Sequence, residues 1–140
     1  KGIKLGSCYV IGLPREKLED MKKTLDFALN LKKRYGVSMF LSVATPFYGT
    51  RLYETCLEKG YLARELSPRA FAEAEQWWGR GLIKTEDFTP EQVRNLAAKA
   101  IKKSNWLSLL PFMKNPLRML RLAFTYRREA GRYLRSLAPF

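Results

Sequence analysis

Apolar and polar positions follow two rhythms along the first half of the chain. Ser7 to Ile11 is a short apolar, β-favouring run that stops at Gly12-Leu13-Pro14-Arg15-Glu16. A run of this kind predicts a fully buried parallel strand. The period then changes to three and four. Leu18, Met21, Leu25, Ala28 and Leu29 predict one apolar helix face between about Lys17 and Arg34, with Gly36 as the stop. Val37 to Val43 reads as a second strand, and Ala44-Thr45-Pro46-Phe47-Tyr48-Gly49-Thr50 as its exit loop. A second helix follows from about Arg51, with Thr50 as N-cap, Leu52, Tyr53, Cys56 and Leu57 as the buried side and Gly60 at its end. Strand, helix, strand, helix at this spacing implies a parallel pair with a right-handed crossover.

The second half reads as helical. Ser67-Pro68 pairs an N-cap with proline at the first helical position, and Phe71, Ala74, Glu75 and Trp78 follow at helical spacing. Trp77-Trp78 suits a helix docked on the body of the fold or the mouth of a substrate pocket. Gly79-Arg80-Gly81 breaks that helix, and Leu82 to Thr85 is a short extended piece. Thr89-Pro90-Glu91-Gln92 carries the signature of a capping box, and Val93, Leu96, Ala97, Ala100 and Ile101 form the stripe of the helix it opens. A tail begins near Ser104 with the apolar patch Trp106 to Met113, and Asn115-Pro116 opens a last helix to about Leu137. Leu117, Leu120, Phe124, Leu134 and Leu137 mark one of its faces.

The first strand end is where chemistry is expected. Gly12 permits a tight turn or a close approach to a ligand. Pro14 ends the strand, and Glu16 lies in or near the first helical turn, where a carboxylate suits the dipole. Ligands of α/β folds bind outside the carboxyl ends of the strands. Alternation puts Cys8, Val10 and Gly12 on one face, with Tyr9 and Ile11 on the other. Thr45 precedes a proline and is therefore extended, which leaves backbone groups of Ala44 and Thr45 exposed at the second strand end.

Composition narrows the chemistry. The 140 residues are 46% hydrophobic, enough for one modest domain with a core. They include no histidine, which excludes a histidine-based triad or general base and the usual Cys/His zinc sites within them. Cys8 and Cys56 read as small core residues rather than cluster ligands. There is no signal peptide and no apolar run of membrane-spanning length, so a cytoplasmic setting is the default. The net charge is +13. From residue 101 onward nine lysines and arginines face only Glu129, which supplies +8 of it. An apolar face rimmed by arginine is the pattern of an interfacial membrane helix. The same face also suits packing against an acidic partner, against other parts of a parent protein, or on phosphates. Single-stranded RNA is a weaker fit, because no RNA-binding motif is present.

The corner Gly12-Leu13-Pro14-Arg15-Glu16 and the loop Ala44-Thr45-Pro46-Phe47-Tyr48-Gly49-Thr50, preceded by Gly2-Ile3, resemble the late barrel strands of radical S-adenosylmethionine enzymes. The branch with an upstream cobalamin-binding domain is the most similar. The resemblance covers about residues 1–65. Arg15 stands where that family usually has Gly, Tyr48 where it usually has Pro, and the CxxxCxxC motif for a four-iron four-sulfur cluster is absent. The resemblance implies an α/β fold: two βα units from the end of a partial parallel (β/α) barrel, a helical extension over 66–103 and a basic amphipathic tail over 104–140. The initial Lys1 fits a C-terminal piece of a longer chain. The intact enzyme would cleave S-adenosylmethionine reductively to a 5′-deoxyadenosyl radical, with methyl transfer as one outcome, and this segment alone would be inactive. Val10 would touch the adenine, Gly12 would shape the corner, and the bend Ala44-Thr45-Pro46 would offer the cofactor backbone hydrogen bonds. Partners would be the rest of the barrel and a small, hydrophobic substrate, with cobalamin as a further cofactor. A different reading is a non-catalytic basic module that docks on a membrane surface, a protein or RNA.

Overall fold

The computed structural model describes residues 3–73 and 81–113. It is a mixed α/β structure. Strand β1 (Gly6–Ile11), helix α1 (Leu18–Tyr35) and strand β2 (Ser38–Val43) come first. Helices α2 (Arg51–Glu58), α3 (Pro68–Glu73) and α4 (Pro90–Met113) follow. Contacts divide the chain into two units, residues 1–101 and 102–140. The double tryptophan 77–78 and the helix expected over 116–137 lie outside the described residues.

The two strands pair in parallel, in register from Gly6 with Ser38 to Ile11 with Val43. Helix α1 packs on both strands. Its stripe is the expected one: Met21, Leu25, Ala28 and Leu29 are buried, and Ile11, Leu41 and Val43 are buried in the sheet. Gly36 ends α1 at φ 69° and donates its N–H to the Lys32 carbonyl at 2.9 Å, a left-handed stop that a side chain would strain. At the other end the Asp20 carboxylate accepts from Lys23 Nζ at 3.2 Å and from the Lys17 N–H at 3.4 Å. The lysine first and the backbone second hold that carboxyl below its ordinary pKa.

The strands are not buried on both faces as expected. Exposure alternates along β1, and Cys8, Val10 and Phe40 lie exposed while Ile11 is fully covered. Cys8 is therefore not a core residue. The cause is that one helix covers one face of two strands, while Phe40 lies across Gly6, where an added Cβ would come within 2.9 Å of the ring. Cys56 is buried as expected, but Leu57 on the same helix is 58% exposed and does not belong to the buried side of α2.

Local signals set the remaining helix starts. The Thr50 hydroxyl accepts from the Tyr53 N–H at 3.2 Å, and the Ser67 hydroxyl from the Ala70 N–H at 3.1 Å. Thr89 and Gln92 close a reciprocal capping box, with the Gln92 N–H on Thr89 Oγ1 at 3.3 Å and the Thr89 N–H on Gln92 Oε1 at 2.8 Å. The extended piece after Gly81 forms an isolated antiparallel bridge between Ile83 and Leu62, flanked by bonds from Ala63 N–H to the Leu82 carbonyl and from Lys84 N–H to the Tyr61 carbonyl. Leu66, Ala70 and Leu82 pack there with Tyr53, Leu62 and Phe71.

The two thiols should separate by reactivity. Burial pushes the Cys56 thiol above its ordinary pKa and keeps it protonated near pH 8, whereas Cys8 is exposed. Iodoacetamide should alkylate Cys8 rapidly in the folded chain and Cys56 only in denaturant. Peptide mass mapping reads this, and rapid native labelling of Cys56 would contradict the packing of α2.

Candidate functional site

The carboxyl ends of β1 and β2 meet a segment from the second half of unit 1. Gly12, Val43, Ala44, Gly81, Ile83, Phe88, Pro90 and Val93 pack around an apolar crease too tight to admit a water molecule. Gly12 takes φ +86°, a left-handed conformation that L side chains rarely adopt. A Cβ on Gly12 would stand 3.4 Å from Val93 Cγ1 and 3.6 Å from Val43 Cγ1. The first turn of α4 thus sits directly over the glycine, and the capping box at Thr89 aims that turn.

The corner after Gly12 is closed by a reciprocal pair. The Leu13 N–H donates to Glu16 Oε2 at 2.8 Å, and the Glu16 N–H donates to the Leu13 carbonyl at 2.9 Å. Glu16 therefore acts before α1 begins, fixing the turn, and does not sit in the first helical turn. Arg15, in the position where a glycine was expected, is exposed and leaves that turn intact.

At the second strand end the Ala44 N–H extends the ladder to the Ile11 carbonyl at 2.8 Å. The Thr45 carbonyl accepts from the Phe47 N–H at 3.1 Å, and Thr45 Oγ1 donates to the Val43 carbonyl at 3.2 Å. One backbone group of each residue expected to be open is thus engaged. The other two, the Ala44 carbonyl and the Thr45 N–H, belong to one peptide unit and have no hydrogen bond among the described residues. That peptide is trans, so its two polar groups point to opposite sides, and one of them at most faces a given ligand. Ala44 is 5% exposed and Thr45 is partly buried.

The five sequence-selected residues therefore do not form one cluster. Gly12 and Ala44 line the crease together, and Thr45 adjoins them. Pro46 is fully buried. Val10 is half exposed on the uncovered sheet face. It does not share the environment of Gly12, because alternation ends where the glycine turns. Sequence reasoning missed Phe88 and Val93, which reach the crease from a distant part of the chain. It also missed the task of Tyr48. The Tyr48 hydroxyl donates to the Leu66 carbonyl at 2.8 Å, and its ring packs edge-on against Tyr53 and Phe71 at 5.1 and 5.4 Å. Phe47 stacks on Phe71 at 5.4 Å. These rings hold the exit loop of β2 to the segment that carries α3. Among the described residues no group of three or more His, Cys, Asp or Glu side chains is arranged to hold a metal ion.

The sequence is 32% identical over 96 residues to an uncharacterized methyltransferase of Pyrococcus horikoshii. The match covers 69% of this chain and 19% of that protein, so the chain spans about a fifth of its relative's length. No family model matches the chain, and no solved structure matches it.

Replacing Gly12 by Ala should destabilise the fold by about 1–2 kcal/mol through the left-handed φ, since the added Cβ meets Val93 and Val43 only at ordinary van der Waals distance. Val93→Ala in the same background should lower stability further, because the side chain is 2% exposed and its truncation leaves a cavity. Urea denaturation of the variants tests this, and an unchanged midpoint for Gly12→Ala would contradict the geometry of the corner.

Proposed function

We propose that this chain is the closing segment of a longer S-adenosylmethionine-dependent methyltransferase of the radical type, and that it contributes the cofactor-positioning end of a parallel sheet. One observation carries the reading. Two corners far apart in sequence, Gly12 and Ala44-Thr45, lie side by side at the carboxyl ends of adjacent parallel strands, and the peptide joining Ala44 to Thr45 has polar groups without a hydrogen bond among the described residues. Similarity to a methyltransferase over most of the chain supports the same reaction class.

The local chemistry suits one edge of an adenine better than the whole cofactor. The crease itself is closed, so a flat ring would lie against its apolar rim at Val43, Ala44 and Val93, and one polar group of the 44–45 peptide would supply a directional hydrogen bond. Gly12 keeps the floor free of a side chain. Val10 and Phe40 on the open sheet face await further strands of the same barrel, because a pair of strands does not close one. When bound, S-adenosylmethionine supplies an activated methyl group and, given an electron, radical chemistry. Residues 1–65 act here as final βα units, with 66–103 as an extension that covers the strand ends. Cluster cysteines, and a cobalamin domain if one is used, fall to other parts of the polypeptide.

The test uses the complete polypeptide that contains this chain. Calorimetry should detect S-adenosylmethionine binding, and Gly12→Val should weaken it by about tenfold or more, equivalent to at least ~1.4 kcal/mol. Transfer of radiolabel from the methyl group should accompany binding. Iron at about four atoms per chain marks the radical type. Binding and transfer without iron would leave a methyltransferase and remove the radical step. Absence of binding would sink the reading altogether.

A further inference from the structure

In the second unit, residues 102–110 of α4 have an exposed face that combines lysines with large apolar side chains. On a helical period Lys102, Lys103, Trp106, Leu109 and Leu110 share one side, and Ser104 lies opposite. Lys102 and Lys103 are exposed, Trp106 is 55% exposed, and Leu109 and Leu110 are partly exposed, whereas Ser104 is buried. An exposed tryptophan beside leucines is costly in water unless another phase or partner takes it up.

We infer that this face is an interfacial anchor for an anionic lipid bilayer. Charge complementarity selects that occupant. From residue 101 the sequence carries nine lysines and arginines against one glutamate, and two of those lysines flank the exposed tryptophan by one helical turn. Lysine stems cover apolar surface while their ammonium groups reach lipid phosphates, and the indole sits at headgroup depth with its N–H facing water. Among the described residues no helix is long and apolar enough to cross a membrane, so the helix lies on the surface rather than spanning it. A strand of RNA would instead need a series of stacking aromatics along a groove, and this face has a single ring with two leucines. The inference concerns the second unit alone and is independent of the cofactor reading.

Co-sedimentation of the 140-residue chain with vesicles tests it. The chain should pellet with phosphatidylcholine vesicles containing about one-third phosphatidylglycerol and stay in solution with phosphatidylcholine alone. Lys102→Gln with Lys103→Gln should lower the partition coefficient roughly twenty-fivefold, about fivefold per charge. Trp106→Ala should lower it roughly tenfold by removing buried apolar area, with an unchanged far-ultraviolet circular dichroism spectrum. Equal binding to neutral vesicles, no binding to either, an unaffected Trp106→Ala variant, or preference for a single-stranded RNA oligonucleotide at the same salt would each overturn the proposal.

Discussion

The packing of α1 on one face of a parallel strand pair is the interaction on which the first unit depends. Two strands are marginal alone in water. Burial of Met21 and Leu25 beneath Ile11, Leu41 and Val43 supplies the missing stabilisation, at roughly 1.5–3 kcal/mol per fully buried side chain. It also fixes which strand face is covered, and so which residues remain open. Everything at the candidate site follows from that choice. The ladder bond from Ala44 to Ile11 brings the two strand ends level, and Gly12 lets α4 settle over them.

The helix starts were legible because their causes are local. Thr50, Ser67 and the Thr89–Gln92 pair each bond to backbone within three residues, so a short window contains the whole argument. The stripe of α1 and the parallel pairing were legible from period and spacing. Burial of the strands was not, because an apolar strand looks the same whether a second layer covers it or not. Cys8 was misread for that reason. Glu16 was placed near the start of α1, where it lies, but its bond to the Leu13 N–H was not legible, since a carboxylate that closes a turn and one that suits a helix dipole have the same sequence neighbourhood.

The candidate site was half legible. Gly12 and Ala44 could be chosen from strand-end logic, and they do converge on one crease. Val93 and Phe88 could not, because their approach depends on how residues 81–93 fold back through the bridge at Ile83. Tyr48 looked like a departure from an expected proline. Its hydroxyl and ring instead tie the loop to Leu66 and Phe71, a long-range role that no local pattern encodes. The same division applies to function. The two proposals, a planar ligand at the strand ends and a lipid surface for the basic C-terminal unit, rest on different stretches of the chain.

The central claim is that the corner at Gly12 and the bend at Ala44-Thr45 hold one cofactor between them. Hydrogen exchange of the complete polypeptide, with and without S-adenosylmethionine, tests it most directly. Slower exchange should appear together in peptides covering residues 9–16 and 43–48, with α1 unchanged. Cofactor binding that protects other segments while both of these exchange as before would contradict the account.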